Sequence, residues 1–95
     1  SIEPHPRIFL FLSKNIKLNR FNNVKKYNLA IGDKNSQMRF SNIRSDDQNF
    51  IIKDGPIKVE MKRLDDLFFS NIVNLLKIDA EGYELFILNG ALNCL

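Results

Sequence analysis

Residues 75–85 join two hydrophobic periods, and this junction restricts the fold more than any other part of the chain. Residues 72–78, which lead into it, form a short apolar run that is typical of a buried parallel strand. After Gly82, apolar side chains recur every three or four positions, which predicts a helix. In open α/β sheets ligands bind where strands end, and Asp79 and Glu81 lie at such a point. The apolar positions of the predicted helix are Leu85, Leu88, Leu92 and Leu95.

The other segments alternate between strand and helix signals, which predicts an α/β fold. Residues 2–3 are expected to end a strand, and Pro6 suits the first position of a helix that stops near Asn19. Asp65 or Asp66 is expected to cap a short helix that runs through residue 69. Further strands are predicted at residues 24–31, 37–40 and 57–62, a polar loop at 41–48 and a turn at 54–56.

Length and charge restrict the class of protein. A chain of 95 residues forms one domain at most, and its net charge is +3. The basic residues are scattered, as on a solvated surface, and a nucleic-acid face would need them gathered with aromatic residues. No apolar run reaches about 18 residues, so we expect no transmembrane helix. Cys94 has no partner for an internal disulfide, which favours the cytoplasm, and it is expected in the core or on a subunit surface.

Three residues outside the junction attract attention. Glu3 follows a predicted strand, and a carboxylate there can accept hydrogen bonds from both hydroxyls of a ribose, although a capping or surface glutamate also fits. His5 has no nucleophile or second metal ligand nearby, so we expect it on the surface or at the helix start. Gly90 costs a helix about 1 kcal/mol relative to Ala, so close packing against a neighbour is expected.

The pair Asp79 and Glu81 is the strongest candidate for chemistry. On an extended chain their side chains would point the same way, because the side-chain period of a strand is two. They could then share a metal, share a proton or divide two roles. Glu81 could also simply interact with the positive end of a helix that starts at Gly82. Asp79 directly follows a predicted buried strand, so a purely structural role explains it less well.

Several of these segments together resemble the FkbM family of S-adenosylmethionine-dependent methyltransferases. The most distinctive block is Leu-Lys-Ile-Asp-Ala-Glu-Gly-Tyr-Glu-Leu at residues 76–85, followed by Leu-Asn-Gly-Ala at 88–91. The segments that carry the resemblance extend over nearly the whole chain. The other blocks are Ile-Glu-Pro-His-Pro at 2–6, Asn-Leu-Ala-Ile-Gly-Asp at 28–33 and Leu-Asp-Asp-Leu at 64–67.

The resemblance implies a fragment of a doubly wound, Rossmann-like class I methyltransferase sheet that uses S-adenosylmethionine. Glu3 would hold the ribose hydroxyls, while Asn28, Leu29 and Ala30 would lie around the adenine. Asp79 would lie near the methionine part of the cofactor and the acceptor. Family members methylate hydroxyl oxygens of saccharides and natural products, so we expect an acceptor of that kind and no nucleic-acid or membrane partner, and no residue is assigned as a dedicated metal ligand.

The same resemblance bears on completeness. Residues 1–95 would be a partial methyltransferase domain, with the first strand and its glycine-rich loop before Ser1 and further strands after the last helix. The isolated chain is therefore expected to be inactive.

The implied reaction assigns roles to the two acids. Asp79 is expected to be the general base for the acceptor hydroxyl, and Glu81 to orient the acceptor or help to bind a metal. A metal-dependent nuclease or phosphoryl-transfer enzyme is an alternative, in which Asp79 and Glu81 hold Mg²⁺ together with further carboxylates. A third possibility is a non-catalytic remnant that serves only protein contacts.

Overall fold

A computed structural model describes residues 1–41, 51, 53–68 and 72–95 of the chain. It has a small α/β fold with one three-stranded mixed sheet, in the order β1-β3-β2, which confirms the α/β class, while the doubly wound, Rossmann-like sheet stays a prediction. None of the described helices is long and apolar enough to cross a membrane. Apart from Ser41, the predicted loop at 41–48 lies outside the described residues. The elements are α1 Pro6–Leu18, β1 Ala30–Ile31, β2 Ser36–Phe40, β3 Ile57–Lys62, α2 Leu64–Phe68 and α3 Glu84–Asn89.

The chain divides into two compact units, and the boundary between them passes through the strands. The first unit consists of Ser1–Ala30 and Gln37–Glu60, and the second of Ile31–Ser36 and Met61–Leu95. Helix α1 lies in the first unit and begins at Pro6, as predicted. Proline suits the first helical position because its ring fixes a helical φ, and the backbone N–H that it lacks would have no partner within the helix. It ends at Asn19, whose side chain donates a hydrogen bond to the carbonyl of Asn15.

Strands β2 and β3 confirm the alternation seen in the sequence. In β2 the side chains of Met38 and Phe40 are buried, and in β3 those of Val59 and Met61 are buried. Lys58 and Glu60, which alternate with the buried residues of β3, are exposed, so one face of this strand meets solvent. The predicted strand at 24–31 is shorter: only the isolated parallel bridge from Tyr27 to Ile2 and the two residues of β1 pair with another described strand.

The predicted buried strand at residues 72–78 is absent. The structure assigns no strand there, and the side chains of Ile72 and Leu75 are 90% and 87% exposed. An apolar run becomes a strand only where another backbone accepts and donates its hydrogen bonds, and no described strand pairs with these residues. The prediction of a buried strand before Asp79 is therefore wrong for the described structure.

The last helix is also shorter than predicted. Helix α3 covers Glu84–Asn89 rather than continuing to residue 95, and its buried side chain is Ile87. The leucines of the predicted apolar stripe are exposed. The helix stops at Gly90, whose backbone lies so close to Gly32 that a Cβ atom would overlap the Gly32 carbonyl oxygen. Close packing at Gly90 is thus confirmed, and the backbone can approach this closely only because residue 90 has no Cβ atom.

One buried carboxylate connects α2 with the segment after α3. Asp65 lies inside α2 rather than capping it, which corrects the predicted start of this helix. Its Oδ1 accepts hydrogen bonds from the backbone N–H groups of Asn93, at 2.9 Å, and Cys94, at 3.1 Å. Its Oδ2 accepts from the side chain of Asn93, at 3.1 Å, and from the guanidinium of Arg63, at 2.7 Å. The backbone N–H of Asp65 also donates to the carbonyl of Gly90.

The neighbouring acid of the Leu-Asp-Asp-Leu block has a separate partner. Oδ2 of Asp66 accepts a hydrogen bond from the side-chain amide of Asn35, at 2.8 Å. The side-chain oxygen of Asn35 in turn accepts from the backbone N–H of Arg63, at 3.1 Å. The two acids of the block therefore join α2 to different segments of the second unit, which the sequence reading of a helix cap did not anticipate.

Replacing Asp65 with Asn should lower the urea midpoint of the complete gene product at neutral pH. Burial raises the pKa of Asp65, but the hydrogen bonds from Asn93 and Cys94 and the charge of Arg63 outweigh it, so the pKa lies below its ordinary value. A carboxyl whose pKa is lowered on folding stabilises the native state above its unfolded pKa, about 3.9, and loses this contribution as the pH falls through the folded pKa. The difference between wild type and Asp65→Asn should therefore shrink in acid.

Asp54→Asn, an exposed substitution of the same kind, is the matched control and should leave the midpoint unchanged. Equal midpoints for wild type and Asp65→Asn at pH 7 would contradict the connecting role of this carboxylate.

Candidate functional site

The Glu3 side chain is held by the backbone at the start of α1. Its Oε1 accepts a hydrogen bond from the backbone N–H of His5, at 2.8 Å, and the residue is half-buried. The backbone N–H of Glu3 donates to the carbonyl of Tyr27, next to the parallel bridge between Ile2 and Tyr27. No described residue bonds Oε2, so one carboxylate oxygen is fixed in place while the other can accept further hydrogen bonds.

Asn28 is the second predicted cofactor residue that the structure brings to this place. Its side-chain amide donates to the carbonyl of Glu3, at 2.9 Å, and to that of Pro4, at 3.0 Å. The following residues, Leu29 and Ala30, have buried side chains that belong to the core. The role proposed for all three around an adenine stays a prediction, and the observed role of Asn28 is to hold the backbone that carries Glu3.

His5 is more deeply placed than its sequence position indicated. It precedes the first residue of α1, as expected for a histidine at the helix start, but only 5% of its surface is exposed. Of the two expected places for His5, the helix start is therefore confirmed and the surface is wrong. Neither ring nitrogen has a hydrogen-bond partner among the described residues, and a buried polar group without a partner costs about 1–3 kcal/mol. Nothing in the sequence around His5, which lies between Pro4 and Pro6, predicts that its side chain is buried.

Asp79 and Glu81 lie in the second unit, and both are exposed. Glu81 adopts a φ of 45° and Gly82 a φ of 97°, so the chain turns sharply at these residues. The predicted extended geometry, with both carboxylates pointing the same way, is therefore wrong. The described residues contain no group of three His, Cys, Asp or Glu side chains that could hold a metal ion.

Glu84 is the functional-site residue that the sequence reading missed. Its Oε1 accepts hydrogen bonds from the backbone N–H groups of Ala80, at 3.3 Å, and Gly82, at 3.1 Å. It is the first residue of α3, so the role of a helix-dipole partner considered for Glu81 belongs to Glu84. Hydrogen bonds from its own backbone N–H and from Gly82 lower the pKa of Glu84, which keeps the carboxylate charged and the turn closed at neutral pH.

Two other ionisable groups of the second unit are unsuited to act as bases. Burial, and the negative charge of Asp33, raise the pKa of the Tyr83 phenol, which contacts the sulfur of Met61 at 4.0 Å. Burial, together with Asp65, raises the pKa of the Cys94 thiol. Both groups are protonated at neutral pH and so cannot take up a proton there. The exposed acids of the 76–85 block are Asp79 and Glu81.

Comparison with known proteins identifies the domain. A sequence model of the Methyltransferase FkbM domain matches residues 1–95. The chain belongs to the FkbM methyltransferase domain family. This result confirms the resemblance carried by the blocks at 2–6, 28–33, 64–67 and 76–91 of the FkbM chain. Neither curated proteins nor solved structures gave a significant match.

The family match covers both places where the candidate site residues lie. In the FkbM chain, Glu3 with Asn28 and the turn with Asp79 and Glu81 come from the blocks that carry the family resemblance. The structure shows that each group is held by backbone hydrogen bonds within its own unit.

Replacing Glu84 with Ala should open the turn that carries Glu81. The amide hydrogens of Ala80 and Gly82 lose their shared acceptor, so their exchange with solvent should speed up by about tenfold, as for one hydrogen bond to a charged group. In the wild type the same loss should occur on acidification through the lowered pKa of Glu84. Amide exchange measured by NMR on the complete gene product checks both effects.

Glu81→Ala is the matched control, because no hydrogen bond of the Glu81 side chain is seen among the described residues. It should leave both amides protected. Equal acceleration in the two variants would mean that Glu84 does not hold the turn.

Proposed function

We propose that the FkbM chain is part of an S-adenosylmethionine-dependent O-methyltransferase. Its acceptor is a hydroxyl group of a saccharide or of another small molecule, and the cytoplasm is its setting. The observation that carries the proposal is the arrangement of Glu3, whose Oε1 is held by the backbone N–H of His5. The family match supports methyl transfer as the reaction class.

The described residues fit the ribose of such a cofactor. A ribose diol offers two adjacent hydroxyl donors, and a carboxylate accepts both well because it has two oxygens. Glu3 is half-buried and held in place, and the Asn28 amide fixes the carbonyls of Glu3 and Pro4, so little side-chain entropy is lost on binding. When bound, S-adenosylmethionine would supply the methyl group on a sulfonium that is its own leaving group.

The acids of the turn would serve the acceptor. Asp79 is exposed and follows a segment whose exposure alternates, with Leu76 and Ile78 half-buried. We assign to Asp79 the removal of the proton from the acceptor hydroxyl, which increases the electron density on the attacking oxygen. Glu81, held in its left-handed conformation by the turn that Glu84 closes, would orient the acceptor by a hydrogen bond.

The nuclease alternative requires further carboxylates around Asp79 and Glu81. The part of the chain that the structure describes has no such group of three metal-binding side chains, so no observation favours it. A non-catalytic remnant differs from the proposal in one measurable way, since it would bind no cofactor in the complete gene product.

Replacing Glu3 with Gln should weaken binding of S-adenosylmethionine by about 1.5–3 kcal/mol, the usual loss for hydrogen bonds to a charged group. The amide offers one acceptor oxygen in place of two and carries no charge. Isothermal titration calorimetry on the complete gene product measures the change, with Asp54→Asn as the control that alters an exposed acid elsewhere. Unchanged affinity would remove Glu3 from the cofactor site.

Replacing Asp79 with Asn should reduce turnover about 10²–10⁴-fold, because the amide cannot accept the hydroxyl proton. Cofactor affinity should change much less, since the proposed role concerns the acceptor. The two measurements separate a general base from a residue that only stabilises the fold, and Asp54→Asn again serves as the control. Turnover within a few-fold of wild type would show that orientation alone suffices.

A further inference from the structure

The outward side of α1 combines cationic and apolar residues. The helix has 13 residues and a length of about 20 Å. At about 100° per residue, six of its exposed side chains fall within a sector of about 120°, which we call the outer face of α1. The opposite side, with Phe9, Leu12 and Ile16, is half-buried. The outer face consists of Arg7, Leu10, Phe11, Lys14, Lys17 and Leu18.

The apolar members of the outer face are unusually accessible. Leu10 is 60% exposed, Phe11 46% and Leu18 78%. Single exposed leucines are common on soluble proteins, but a contiguous apolar patch marks an interaction site. These side chains lie on one side of one helix in the first unit.

The cations of the outer face lack acidic partners. Residues 4–32 contain no Asp or Glu, and no described acid forms an ion pair with Arg7, Lys14 or Lys17. Instead, Arg7 and Lys14 lie beside the ring of Phe11, at 6.0 and 5.9 Å from its centroid. The positive charge is therefore directed outward and interleaved with apolar surface, so a partner on this face meets cations and apolar side chains together.

We propose that the outer face of α1 binds the surface of an anionic lipid bilayer, with the helix lying in the plane of the interface. A bilayer of this kind takes both components of the face, because lipid phosphates and carboxylates attract the cations while Leu10, Phe11 and Leu18 enter the boundary with the acyl chains. Nucleic acid would attract the cations and stack on Phe11, but it would leave both leucines in water. The proposal departs from the sequence-based expectation of no membrane partner and does not depend on the proposed catalytic function.

Sedimentation of the complete gene product with lipid vesicles tests the proposal. The protein should bind vesicles of phosphatidylcholine with phosphatidylserine, bind phosphatidylcholine alone much more weakly, and dissociate as salt is raised. The variant Arg7→Gln/Lys14→Gln/Lys17→Gln should lose about a hundredfold in partitioning, because the attraction of three cations to the anionic lipid surface is removed. The variant Leu10→Ser/Leu18→Ser should lose about tenfold or more, because the insertion of apolar surface is removed.

The matched control is Lys34→Gln/Lys53→Gln/Lys58→Gln, which removes the same charge from exposed positions outside α1. It should retain most of the binding. The comparison of lipid compositions and salt concentrations uses the wild type and so remains decisive even if a variant fails to fold. Absence of binding to anionic vesicles, equal loss in the control, an unaffected leucine variant, or binding to RNA or DNA in place of vesicles would each overturn the proposal.

Discussion

The buried carboxylate of Asp65 is the constraint on which the second unit depends. A buried charge is tolerated only when its oxygens are bonded, and here both oxygens accept two hydrogen bonds each, from Arg63, Asn93 and Cys94. These bonds tie α2 to the segment that follows α3. The same segment contains Gly90, whose backbone packs against Gly32. The bonds of Asp65 and the close approach at Gly90 therefore hold the segment that follows α3.

Carboxylates bonded to backbone N–H groups recur in both units. Glu3 accepts from His5, and Glu84 accepts from Ala80 and Gly82. Each of these acids fixes a local turn in the chain, which is a structural role. Asp79 and Glu81 differ because both are exposed. Glu3 combines both properties, with one oxygen bonded to the backbone and one that no described residue bonds.

The patterns with the strongest local cause were predicted well. Pro6 and Asn19 bound α1 because their own backbone preferences start and stop a helix. Strand β3 followed from its alternation, since one face packs and the other meets water. The strand at 72–78 and the long last helix were not found: no described strand pairs with the first, and the second stops at Gly90, where the backbone packs against Gly32.

The sequence by itself determined the family, the start of α1, the bounds of β3 and the candidate acids, because these depend on residue types at fixed spacings. Only the tertiary structure decided which acids are anchors: Asp65 and Glu84 bond to backbone groups up to 29 and 4 residues away, respectively. It also decided that His5 is buried and that the leucines after Gly82 face outward. The burial of a side chain and its hydrogen-bond partners depend on which segments pack together in the fold. The spacing of residues along the sequence does not show which distant segments will be in contact.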